Sequence, residues 1–267
     1  MTMTNGAFLP TVPAEATTEV RSPGFAGSQS EWKIRVDLAA CYRIIALYGW
    51  DDLIATHVSA RVPGEDGAFL INRYGLMFEE VTASSLVKVN LAGEVLGPAS
   101  GEVNPAGITI HGAVYERRDD AGAVIHLHTV DGMAVAAGAD GLLPLTQTAM
   151  TVCGDIAYHD YEGVALDLAE RGRLQQDLGV KNLMILRNHG TLAVGDCVPT
   201  AFGRIYQLER ACVAQVRALA TCGELARVDP AAIAKTVSPG GSLPKFGRSA
   251  WPAVRRKLDR LDPSYRT

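Results

Sequence analysis

Little in this sequence supports life outside the cell or in a membrane. Its five cysteines (Cys41, Cys153, Cys197, Cys212 and Cys222) form an odd, scattered set with no CxxC pair. That excludes a disulfide framework and reads as reduced thiols. No apolar run reaches the roughly 18–20 residues that cross a bilayer. The opening MTMTNGAFLP carries neither a basic start nor an apolar signal core, so the expected location is cytoplasmic. An excess of one charge sign is lacking too. The 25 Lys and Arg stand against 29 Asp and Glu, so attraction to nucleic acid or an anionic membrane is not built in. There is no internal repeat. A composition 48% hydrophobic and 20% charged excludes a disordered or fibrous chain. A length of 267 residues suits one large domain.

What is present divides into three parts. Residues 1–30 hold Pro10, Pro13, Pro23 and many small polar residues without periodicity, and read as a flexible arm. From residue 31 to about 225 helical and extended patterns alternate. Ser28 or Ser30 offers a cap for a helix carrying Leu38, Cys41, Tyr42 and Ile45 at helical spacing, stopped by Gly49. Three β-like segments follow, His57–Val62, Phe69–Asn72 and Leu86–Asn90, with Pro63-Gly64, Asp66-Gly67 and Gly93 as turns. Asn104-Pro105 starts a helix running to about Arg118. GAVIHLHT (122–129) reads as a buried strand, Met133–Ala139 and Leu166–Leu178 as helices, NLMILRNH (182–189) and TLAVG (191–195) as paired strands, and Val198–Gly223 as the longest helix. The pattern predicts α/β layers around an antiparallel or mixed sheet. Residues 226–267 form a tail with a short helix at about Trp251–Leu261. Seven Lys and Arg against two Asp in its last 23 residues give it a solvated basic face, with Trp251 and Leu258 as buried contacts. The expectation is that it docks on a neighbouring subunit.

The chemistry concentrates in GAVIHLHT. Side chains alternate along a strand, so His126 and His128 share a face, about 6–7 Å apart at Cα. His189 ends a second apolar strand. Three imidazoles with an open position suit a catalytic metal, and no cysteine is near enough to close a structural zinc site. Taken alone, each histidine also fits a core residue satisfied by backbone, and spacing leaves both readings open. Glu102, on a Gly-rich turn before a capped helix, is a carboxylate that a loop can present to a neighbouring strand; it equally fits a solvated turn residue. His111, mid-helix, reads as a buried hydrogen-bonding residue outside the site.

GAVIHLHT, LMILRNHG and the Gly/Glu turn at 100–102, in that order, resemble the class II aldolase/adducin family over roughly residues 31–225, and its adducin-like bacterial branch in particular. The resemblance implies a single-domain three-layer α/β/α sandwich with a central, mostly antiparallel sheet. It implies one divalent metal ion per chain, zinc first and manganese, iron or cobalt as alternatives, held by His126, His128 and His189. Glu102 matches the family's acid. Catalytic members are homotetramers with sites between subunits.

The departures bear on substrate. The loops that hold phosphate in sugar-phosphate aldolases read here THVS (56–59), NRYG (72–75) and ASGE (99–102), which alters the phosphate cradle. The aldolases' tyrosine proton donor falls near Thr148. His57, Tyr158, His159 and Tyr161 are the candidate replacements, and Arg73 offers a planar fork for a carboxylate. The expected function is a metal-dependent carbon–carbon lyase, retro-aldol or decarboxylating through a metal-stabilised enolate, acting on a small non-phosphorylated keto or hydroxy carboxylate. The alternatives are an adducin-like non-catalytic binding or assembly protein with a vestigial metal site, and a sugar-phosphate aldolase with a rebuilt phosphate site.

Overall fold

The computed structural model describes residues 24–97, 101–221, 223–237 and 243–267. Most of the expected N-terminal arm, and Ala99 and Ser100 of the third loop, lie outside the described residues.

The chain opens with α1 (Gln29–Leu47), which Ser28 caps by accepting from Glu31 N at 3.0 Å. An antiparallel ladder follows, built from β1 (His57–Arg61), β2 (Phe69–Ile71) and β3 (Val87–Val89). Asn104 caps α2 (Pro105–Arg117), with Pro105 in the first turn where its missing N–H costs nothing. Next come β4 (Ala123–Leu127), α3 (Val130–Ala137), α4 (Gln147–Cys153), β5 (Ile156–His159), α5 (Arg171–Leu178), β6 (Leu183–Leu186), β7 (Gly190–Gly195), α6 (Val198–Leu219), α7 (Pro230–Thr236) and α8 (Leu243–Leu261). The strands make one sheet in the order β3-β2-β1-β4-β7-β6-β5, antiparallel except for the β5–β6 pair.

Side-chain alternation gives the sheet two buried faces. Val58, Ala60, Ile125, Leu127, Ile185 and Ala193 join a core shared with α1 and α6. Phe69, Ile71, Val124, Met184 and Leu192 join a second core under α2 and α5. This is the α/β/α sandwich that the resemblance implies, and it realises the α/β layers that the alternating pattern predicts.

Three readings change. β5 and α4 are short and carry no clear period, so the sequence does not announce them. The helix expected from Leu166 begins only at Arg171, after a 3₁₀ turn at Leu168–Glu170 that Asp167 caps. The C-terminal tail packs on its own chain. α8 lies along α6, the Trp251 ring stands 5.5 Å from that of Phe202, and Trp251 and Leu258 belong to the α1–α6 core. Tyr265 is fully buried, and its carbonyl accepts from Ala83 N. The two apolar contacts expected against a neighbouring subunit, Trp251 and Leu258, are therefore buried within the chain itself.

Candidate metal centre

The centre assembles where β4 leaves the sheet. Ala123, Ile125 and Leu127 fill the α6 side of the sheet, so His126 turns to the α2 side, paired across the ladder with His57 and Leu192. His128 follows two residues on. His189 arrives from the tight turn between β6 and β7, where Asn188 takes a left-handed conformation (φ 56°) and His189 N donates to Leu186 O. Gly190 lets the start of β7 approach the end of β4, because a Cβ there would lie 2.4 Å from Leu127 O.

One side-chain nitrogen from each of His126, His128 and His189 falls in a group within 4.8 Å of one another. The second nitrogens decide the tautomers. Nδ1 of His126 is 3.0 Å from the Thr191 carbonyl, and Nδ1 of His128 is 3.1 Å from the Asp52 carboxylate. Both partners can only accept, so both Nδ1 atoms carry the proton. The two Nε2 atoms then face each other as lone pairs at 2.9 Å. Protonating His126 would relieve that, but burial, reinforced by the neighbouring histidines, holds its pKa well below the ordinary 6.5. Burial likewise lowers His189 to about 4. Imidazole nitrogens converging in this way are the donors a cation between them would use, and this donor set fits a divalent metal ion.

A polar chain backs the centre. The His57 ring lies 5.2 Å from that of His126, and its Nδ1 is 2.9 Å from Nε2 of His111. His111 Nδ1 meets Ser59 Oγ, which in turn meets Tyr115 Oη. Burial holds His57 well below its ordinary pKa and His111 at about 3. His111 is thus the buried hydrogen-bonding residue expected from the sequence, with His57 as its partner. Gly107 allows α2 to press on this row, since a Cβ there would come within 3.2 Å of the His57 ring.

Glu102 is exposed, outside the three-histidine group, and its carboxylate makes no hydrogen bond or ion pair among the described residues. Its loop is nonetheless tied to the site. Tyr74 N donates to Glu102 O at 2.8 Å, and Asn104 Nδ2 donates to Ala55 O, two residues before His57. Arg73 is exposed on the same pair of loops, its stem so close over Gly101 that a Cβ there would lie 2.9 Å from Arg73 Cγ.

The other candidates divide. Tyr158 packs on the α6 side of the sheet, opposite the imidazoles; its hydroxyl accepts from Leu142 N and its ring underlies Arg187. His159 is buried toward α5, with Nδ1 2.7 Å from Asp177 Oδ2 and Nε2 3.4 Å from Glu170 Oε1. Both side chains are thus engaged within the fold, Tyr158 on the face away from the imidazoles. Tyr161 is exposed on the loop after β5, and Thr148 lies in α4. Two residues hydrogen-bonded to the centre or to the segments that carry it escaped the sequence reading. Asp52 gives no local signal. Glu209 gave one, as a carboxylate on the apolar stripe of α6 with Phe202, Ile205, Leu208 and Cys212.

Comparison with known proteins agrees with the geometry. Residues 36–216 match the family model described as the class II aldolase and adducin N-terminal domain. A Caulobacter vibrioides protein carrying an aldolase class 2 name is 51% identical over 240 residues, 89% of this chain and 93% of its own. Alpha-adducin of Mus musculus is 45% identical over 92% of this chain, which matches 35% of the adducin. The structure of L-fuculose 1-phosphate aldolase from Glaciozyma antarctica PI12 superposes with a TM-score of 0.78 at 29% identity, covering 92% of this chain and 97% of that one. A family match over most of the chain, with the three histidines drawn together, means that this chain belongs to the class II aldolase/adducin family.

Proposed function

We propose that the chain is a metal-dependent carbon–carbon lyase that cleaves a small, non-phosphorylated keto or hydroxy carboxylate by retro-aldol reaction or decarboxylation. The observation that carries this reading is the convergence of His126, His128 and His189, with the Nε2 atoms of His126 and His128 2.9 Å apart and their Nδ1 atoms hydrogen-bonded away from the site. His126, His128 and His189 would hold one divalent ion, zinc first among zinc, manganese, iron and cobalt. When bound, such an ion supplies Lewis-acid stabilisation of negative charge developing on a substrate oxygen.

The chain's own groups do the rest. Glu102, free on its loop, moves a proton to or from the reacting carbon or oxygen. Arg73 on the adjoining loop meets the substrate carboxylate with a planar fork. His57 lines the inner wall of the site, its orientation set by His111. Tyr161, exposed on the loop after β5, remains a candidate to meet substrate. We further propose a homotetramer with sites between subunits, in the cytoplasm. No helix among the described residues is long and apolar enough to cross a membrane.

A second reading, cleavage of a sugar phosphate, is favoured by the likeness to L-fuculose 1-phosphate aldolase. The loop residues weigh against it, because a phosphate dianion wants short hydroxyl donors and backbone N–H groups, and the loop at 72–75 offers an arginine.

Elemental analysis and a substrate screen test the proposal together. Purified protein should carry close to one divalent ion per chain, and His128→Ala should remove it while the chain stays folded. The screen runs keto and hydroxy carboxylates beside L-fuculose 1-phosphate, reading carbon dioxide and aldehyde separately. Efficient cleavage of the phosphate ester alone replaces the first reading with the second. Absence of both metal and turnover points to a binding protein of the adducin kind.

A further inference from the structure

Behind the three histidines, on the opposite face of the sheet, one carboxylate joins the two strands that carry them. Thr129 directly follows His128. Thr191 comes two residues after His189, and its carbonyl is the group that accepts from His126 Nδ1. Both threonine hydroxyls donate to Glu209 of α6, Thr129 to Oε2 and Thr191 to Oε1. The Thr129 hydroxyl also accepts from Gly132 N at 3.0 Å, which leaves its single proton for Glu209. No space is left around the contact, since a Cβ on Gly132 would lie 2.6 Å from Thr129 Oγ1 and 3.2 Å from Glu209 Oε2.

Glu209 is fully buried and has no cationic partner among the described residues. An unpaired buried carboxylate is costly, and an apolar residue would complete the α6 stripe of Phe202, Ile205, Leu208 and Cys212 without that cost. What Glu209 does that an apolar residue cannot is grip two strand ends at once, each one or two residues from a proposed ligand.

We infer that Glu209 is a positioning residue of the metal centre: by holding Thr129 and Thr191 it fixes the β4 and β7 ends at the separation that brings His126, His128 and His189 together. The inference rests on the metal reading above and concerns how the site is kept assembled.

The test measures zinc affinity by competition with a chromophoric chelator, and the d–d absorption of the cobalt-substituted protein. Wild type must first bind about one zinc per chain; a wild type that binds none overturns the metal reading and this inference with it. With binding established, Glu209→Ala should weaken zinc affinity about 10- to 100-fold and change the cobalt spectrum, whereas Glu209→Gln, whose amide oxygen can accept from Thr129 while its NH2 donates to the Thr191 hydroxyl oxygen, should recover affinity to within about threefold. A purely structural role would lower thermal stability and leave affinity and spectrum unchanged, and that result overturns the inference while the metal reading stands. If Glu209→Ala does not fold, Thr191→Val removes one of the two bonds at nearly constant volume. Weakened zinc binding in that variant supports the inference, and wild-type affinity overturns it.

Discussion

The Asp52 carboxylate accepts a hydrogen bond from Nδ1 of His128 at 3.1 Å, across 76 residues of chain. It holds the imidazole with Nε2 turned to His126. Replacing a partner of this kind commonly costs 10- to 100-fold in metal affinity. Asp52→Ala should therefore weaken zinc binding by about that factor in a chelator competition. Since Asp52 is exposed, the unfolding free energy should move by less than about 0.5 kcal/mol. Unchanged affinity would remove Asp52 from the site.

Arg73 is exposed before substrate arrives, so water screens its pairing with a substrate carboxylate. The pair is worth about 1–2 kcal/mol. Arg73→Ala should lower kcat/KM about 5- to 30-fold on the true substrate with metal content unchanged. Full turnover by the variant would refute the carboxylate role.

Burial pushes the Glu209 carboxyl up from its ordinary 4.5 to about 7, against the opposing effect of its two threonine donors. Between those values the folded chain binds more protons than the unfolded one, so this group's contribution is complete below pH 4.5 and lost as pH rises through about 7. The loss is on the order of 3 kcal/mol. In chelator-treated protein, wild type should lose stability relative to Glu209→Gln as denaturation is repeated from pH 4.5 to pH 8. Parallel curves for the two proteins would show that Glu209 titrates normally.

Trp251 is buried against Phe202, and its Nε1 donates to Asp37 Oδ1 at 2.7 Å. Trp251→Ala should cost about 3–5 kcal/mol of unfolding free energy, independent of protein concentration. A loss that shrinks as concentration rises would return the tail to an intersubunit role.

The three-histidine cluster was legible in part because strand geometry is local. Alternation alone places His126 and His128 on one face, and the apolar strand ending at His189 supplies a third imidazole. Tyr158 and His159 could not be placed from the sequence, because adjacent residues on a short strand point to opposite faces. Which face meets the imidazoles depends on the parallel pairing of β5 with β6, and that pairing leaves no mark on the residues themselves.

By itself the sequence determined the helical and extended periods, the caps at Ser28 and Asn104, and the shared face of the paired histidines, because these follow from backbone geometry over a few residues. Only the tertiary structure decided that Asp52 orients His128, that His57 stands between His126 and His111, that Glu209 grips both ligand strands, and that the basic tail closes its own core. Each of those depends on chain segments far apart in sequence being packed together. The free energy that selects such packing belongs to the whole set of buried surfaces, and no single segment of the chain carries it.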